Sequence, residues 1–351
     1  MSPLVTVNSR APYVAVTLSV QFRGLTVRKT RIAVAAFAAV ASLVVGMTPS
    51  SADITLYVPW SSVLPGWNDQ FVPGSDNDCA SGRPSCLTLT LNEQTRILDQ
   101  NGPACNHNAV FALAYVRMTQ TYGWTRDQAG YYNDVPYMNH MDAVFARYYT
   151  DAYYNWSKGA RSSVPQAWLY AFDAAKNKTV TGAGDLFLGM NAHINRDLPF
   201  VLYASGLVES DGTTSGKGDY DVVEKWLNDD TAPLLAEESQ RFDPTMNTTN
   251  TALVNFLTFQ MVSAWRENAW RQAELLAAAP TAAARAVVAQ NIENYANTVA
   301  QSFLVSFAVN PLPLIGQSNA TRDAYCAAHN GDTTPAVFPM GTPTPYGNTV
   351  N

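Results

Sequence analysis

From residue 92 onward, apolar side chains recur every three or four positions, and that period predicts helices. The expected helices cover 92–100, 106–122, 136 to about 156, 165 to about 178, 183–206, 219 to about 240, 249–278 and 281–309. Pro136 and Pro165 suit first-turn positions, where a missing N–H removes no helical bond. Gly206 closes the fifth segment, and Asp219 is placed to cap the sixth. Few stretches alternate as strands do. The pattern therefore predicts an all-α protein: a single multi-helix bundle over 92–310, with irregular arms at both ends. The N-terminal arm, 53–91, is rich in Pro, Gly, Ser, Asp and Asn; the C-terminal tail, 311–351, follows the helix-stopping Asn310-Pro311-Leu312-Pro313.

Residues 1–52 change that picture, because they read as a targeting segment rather than as fold. Basic residues at Arg28, Lys29 and Arg31 precede a fifteen-residue apolar run, 32–46, and Ser50-Ser51-Ala52 offers small residues for cleavage. The run is short against the roughly twenty residues of a bilayer span, so no stable membrane span is expected once it is removed. A translation start near Val27 would give this leader ordinary proportions. The expected location is secreted, or extracellular. Residues 1–52 carry five of the 22 basic residues and none of the 28 acidic ones, so the remainder has a net charge of −11. Such a surface repels phosphate backbones, and no nucleic-acid partner is expected.

Four cysteines, Cys79, Cys86, Cys105 and Cys326, suit two disulfides in an exported chain. The tight loop allowed by Gly82 and Pro84 favours Cys79–Cys86, leaving Cys105–Cys326 to tie the ends together. A zinc site competes with this reading, but no Cys-x-x-Cys pair occurs.

The densest chemistry lies at 190–199, Met-Asn-Ala-His-Ile-Asn-Arg-Asp-Leu-Pro. His193 and Asp197 stand at i, i+4, on one face of a helix, and Asn191 and Asn195 form a second such pair. Pro199 cannot donate to the carbonyl of Asn195. On the third helix Asp142, Phe145 and Tyr149 share a stripe; the aromatics read first as core, whereas a carboxylate there needs a partner. The seventh helix offers Arg266 and Trp270 at i, i+4, where indole and guanidinium can stack. His193, Asp197, Asp142 and Arg266 are thus the candidate catalytic residues. Asn191, Asn195, Tyr149 and Trp270 are the candidate substrate contacts. His193, Asp197 and Asp142 would also suit one divalent metal ion, the candidate cofactor. Two other uses of the same residues stay open: a base with its orienting carboxylate, or a buried network that fixes helix packing. His140 reads as a surface or boundary residue.

No Gly-x-Ser-x-Gly elbow, phosphate loop, His-Glu-x-x-His or Gly-x-Gly-x-x-Gly fingerprint is present. Instead, Gly189-Met190-Asn191-Ala192-His193-Ile194-Asn195-Arg196-Asp197-Leu198 resembles the core of a bacterial, mainly actinobacterial family known only as a domain of unknown function. Met141 to Tyr149 and Trp265 to Trp270 are similar to two further stretches of that family, so the resemblance spans about 105–280. It carries no activity; it implies that Asp142, His193, Asp197 and Arg266 form one constellation drawn from three helices. The expected function is a hydrolase-like enzyme acting on a small or lipid-like molecule. The alternative is a non-catalytic binding or structural protein whose polar helix faces pair with one another.

Overall fold

A computed structural model describes residues 69–309 and 319–332. The expected targeting segment, the first part of the arm and the end of the tail lie outside the described residues.

The chain folds as an all-α bundle. Its main helices are α1 (Pro84–Asn101), α2 (Ala109–Arg126), α3 (Val135–Ser157), α4 (Gln166–Asn177), α5 (Gly182–Met190), α6 (Leu198–Ser205), α7 (Lys217–Arg241), α8 (Met246–Thr249), α9 (Ala252–Ala278), α10 (Ala282–Ser306) and α11 (Asn319–His329). A wide π-helical turn, Asn191–Asp197, joins α5 to α6. Among the described residues there is no sheet, only the isolated bridges Val180–Ala308 and Val208–Ser215. No helix among them is long and apolar enough to cross a membrane.

Helix α2 is apolar around most of its circumference and is the central helix, with α1, α5 and α7 packed on it. The π turn is equally central, touching α3, α4, α5, α9 and α10. Gly189 allows α5 to approach α2, since a Cβ there would strike the ring of Phe111. Side-chain caps fix several helix starts: Asp134 accepts from the Tyr137 N–H at 3.0 Å, Thr181 from Gly184 at 3.2 Å, and Thr281 from Ala284 at 3.1 Å.

Outside the 183–206 segment, the structure departs from the sequence reading at four places. The first helix starts at Pro84, not 92. Its Leu87-Thr88-Leu89-Thr90-Leu91 run alternates locally, but Cys86, Leu87, Thr90, Gln94, Ile97 and Leu98 share one buried face. The chain reverses into it through Gly82, at φ +67°, and the Cys79–Cys86 disulfide, Cα atoms 5.0 Å apart. The tail contains α11, held to the body by Cys105–Cys326 (Cα atoms 5.8 Å apart) and by Arg322, 2.7 Å from the Asp185 carboxylate. Asp219 does not cap its own helix; it accepts the backbone N–H groups of Asn133 and Asp134, both at 2.8 Å, and so shapes the entry to α3. His140 is not at the surface: it is fully buried, its ring nitrogens 2.8 and 3.0 Å from the carbonyls of Cys79 and Asp69.

Candidate functional site

The segment expected as one helix over 183–206 opens in its middle. Pro199 has no N–H to give, and the Leu198 N–H bonds instead to the carbonyl of His193, five residues back. Such π turns occur mostly as single insertions and often at functional sites. Here the turn buries six of its seven residues, Ile194 being half-buried.

Inside it, His193 Nδ1 lies 3.1 Å from Asp197 Oδ2. The same oxygen accepts the indole N–H of Trp168 at 2.8 Å, and Oδ1 accepts from Arg196 Nη1 at 3.0 Å. Arg196 Nε in turn donates to Glu293 Oε1 at 2.8 Å, and its guanidinium lies 4.8 Å from the Phe200 ring centre. Burial opposes the charge on Arg196, but Glu293 and Asp197 more than reverse that and raise its pKa. Burial raises the Glu293 carboxyl, with Arg196 pulling the other way. Because Asp197 accepts from every neighbour, His193 holds its proton on Nδ1. Burial depresses the imidazole pKa, against the pull of Asp197, so the ring is neutral and Nε2 carries a lone pair. That nitrogen has no hydrogen-bond partner among the described residues.

Next to the imidazole opens a cavity of about 770 Å³, walled by α2, α3, α5, α7, α9 and α10. Its volume falls in the roughly 300–1,000 Å³ range of small-molecule sites. The wall is overwhelmingly apolar; Leu186, Phe187, Leu234, Val262, Phe303 and Phe307 are representative. Val254, Thr258 and Phe259 on the first turns of α9 also line it and are only half-buried, while the adjacent Leu253 and Phe256 are exposed.

The polar side chains on the wall are few. Asp142 faces the cavity without a hydrogen bond or close ion pair among the described residues. Burial pushes its carboxyl up to about 7; Arg126 works against the rise but makes its own ion pair with Asp127, at 2.8 Å. Tyr115 lies edge-on to His193, ring centres 4.5 Å apart; its hydroxyl is buried, unpartnered, and raised in pKa by burial and then by Asp142. Phe145 stacks on His193, ring centres 3.5 Å apart. Arg266 lines the wall elsewhere, donating to the Tyr220 carbonyl at 2.5 Å and lying 3.6 Å from Glu224.

The residues expected to act together are therefore divided. Asp142, His193 and Arg266 share the cavity wall; Asp197 stands behind His193. Arg266 stacks on Tyr220, 4.0 Å from its ring centre, rather than on Trp270, whose indole donates to Glu274. Asn191 donates to the Ala296 carbonyl at 2.9 Å and accepts from Asn195 at 3.0 Å, so both turn toward α10 and away from the cavity. Tyr149 is buried beside Phe111 and Trp168, off the cavity wall. Among the described residues, no group of three or more His, Cys, Asp or Glu side chains is arranged to hold a metal ion, and the oxygens of Asp197 are already committed to nitrogen donors.

Trp168, Arg196, Glu293 and Tyr115 were not singled out in the sequence. Glu293 carried a signal of the kind used for Asp142: it interrupts the apolar face Ala289, Ile292, Ala296, Ala300. Arg196 stood inside the motif itself. For Trp168 and Tyr115 no local pattern separates a polar tip in use from an ordinary aromatic core residue.

A bundle built around a π turn, a committed charge network and one apolar cavity defines a helical small-molecule-sized enclosure. The chain belongs to the family of unknown function DUF5995, which matches residues 89–306. No curated protein and no solved structure matches it.

Proposed function

We propose that this protein is an exported binding protein for an elongated hydrophobic small molecule held in the cavity between α2, α3, α5, α7, α9 and α10. The observation that carries this reading is the cavity: large, apolar, and furnished with a few polar groups in place of a filled core. Protein interiors close-pack, so a cavity of this size forgoes side-chain contacts that an apolar ligand would supply. Two disulfides agree with export.

The test is a titration of delipidated protein with straight-chain amphiphiles. Each added methylene is expected to tighten binding roughly fourfold until the cavity is full, from about 0.8 kcal/mol per buried CH₂. Ala114→Phe projects a ring into the cavity and is expected to abolish binding while the protein stays folded. Chain-length-independent affinity, or unchanged binding by Ala114→Phe, would refute the reading.

One observation favours a second reading, a hydrolase-like enzyme: an imidazole oriented by a carboxylate, with its other nitrogen unpartnered beside a cavity, is the arrangement of a general base. His193→Ala would then remove turnover of an acyl ester but retain ligand binding. The metal-assisted form of that reading has less support, given how Asp197 is held. Export itself is checked by N-terminal sequencing of protein from the culture medium, with a mature start near Asp53 expected.

A further inference from the structure

Asp142 is the group on the cavity wall whose charge is least compensated. Arg266, the cation lining the same cavity, gives Nη2 to the Tyr220 carbonyl and stacks on the Tyr220 ring, and its charge is offset by Glu224 at 3.6 Å, although Nε makes no hydrogen bond among the described residues. Around Asp142 the wall is aromatic. Phe145 stacks on His193, Tyr115 packs edge-on against both, with ring centres 5.9 Å from Phe145 and 4.5 Å from His193, and the Tyr122 ring also lines the cavity. Two further polar atoms of cavity-lining side chains have no partner among the described residues, Tyr115 Oη and His193 Nε2; both are themselves covered in this structure, so a headgroup meets them through a small side-chain shift. The hydrogen bond from Nδ1 to Asp197 leaves Nε2 an acceptor.

On the binding-protein reading above, we propose that this stretch of wall recognises a primary ammonium headgroup, with Asp142, Tyr115 and His193 as its three acceptors. A protonated amine has three N–H donors and no lone pair, which matches a carboxylate, a phenol oxygen and an imidazole lone pair. The rings of Tyr115, Tyr122 and Phe145 add attraction for a cation through their faces. An alcohol has one donor and leaves acceptors unpaired. A fatty carboxylate or a phosphate monoester sets like charge against Asp142. The ligand class is therefore an alkyl or isoprenoid amine with a long apolar tail. Its ammonium would favour the ionised state of Asp142, which burial disfavours.

Calorimetric titration of disulfide-intact, delipidated protein with 1-dodecylamine, 1-dodecanol and dodecanoate, all below their aggregation concentrations, tests this. Dodecylamine is expected to bind about tenfold or more tighter than dodecanol, with dodecanoate weakest, since charge-assisted bonds exceed neutral ones. Asp142→Asn is expected to bring dodecylamine to within about threefold of dodecanol and leave dodecanol nearly unchanged. Tyr115→Phe is expected to weaken the amine by roughly threefold to tenfold, one hydrogen bond's worth. Equal binding of dodecylamine and dodecanol to the wild-type protein, or full amine affinity in a folded Asp142→Asn, overturns the headgroup assignment and leaves the cavity reading intact. If none of the three amphiphiles binds, both fall. Should Asp142→Asn fail to fold by near-UV circular dichroism, the wild-type headgroup order and Tyr115→Phe still decide.

Discussion

Trp168 donates its indole N–H to Asp197 at 2.8 Å, a contact between two side chains that water cannot reach. The bond joins α4 to the π turn and supplies one of three donors that keep the Asp197 carboxylate solvated by protein. Asp197 thus orients His193 without itself facing the cavity. Trp168→Phe keeps the ring but removes that donor, and an expected loss of roughly 2–4 kcal/mol combines the unsatisfied acceptor with the smaller ring. Urea unfolding checks it; a change under about 0.5 kcal/mol would show that Asp197 does not depend on the indole.

Arg196 stands between two acids, Asp197 and Glu293, in the same buried region. Arg196→Met leaves both without their cation, and removal of one member of a buried ion pair typically costs about 3–5 kcal/mol. Arg196→Met combined with Glu293→Leu is expected to recover part of that loss, because one orphaned charge disappears with its partner. Strict additivity of the two substitutions would count against a coupled network.

The raised pKa of Asp142, about 7, makes a pH-dependent contribution of definite sign. Between about pH 4 and 7 the folded protein holds a proton that the unfolded chain has released, so stability falls as pH rises through that window. Asp142→Asn removes this slope. Its stability advantage over wild type is expected to grow from pH 4 to 7 by up to about 4 kcal/mol and then level off. Asp185 and Asp230 are also raised by burial, to about 7 and about 8, but both proteins share them, so the difference isolates Asp142. Parallel stability curves would mean that Asp142 is ionised at neutral pH.

The Cys105–Cys326 bridge closes 221 residues and anchors α11. Cys105→Ala with Cys326→Ala is expected to lower stability by roughly 2–5 kcal/mol. The His107–Asp323 contact at 2.9 Å and the Arg322–Asp185 ion pair should hold α11 in place in part. Limited proteolysis reads the effect directly, with faster cleavage within α11 expected in the variant.

Gly189 touches the site through packing alone. Gly189→Ala drives a methyl group into Phe111, which packs edge-on against His193, Tyr149 and Trp168. Overpacking there is expected to cost about 1–3 kcal/mol, despite the better helix propensity of alanine, and to weaken amphiphile binding.

The period of apolar residues was sufficient to find the helical class and most helix boundaries, because amphipathic spacing is a property of neighbouring residues. The cysteine spacing likewise pointed to the two pairings seen, and the rarity of polar groups in an apolar helix marked His193, Asp197 and Asp142. What the chain alone left open was which polar group meets which. Arg266 and Arg196 look alike in sequence, yet only Arg196 reaches Asp197, its neighbour in the π turn, while Arg266 is held on α9 by the Tyr220 carbonyl. Asn191 and Asn195 read as ligand contacts, but the rotation introduced by that turn points them at α10. The cavity has no local signature at all: it is the space six helices leave unfilled, and an unfilled volume is a property of their packing, not of any one segment.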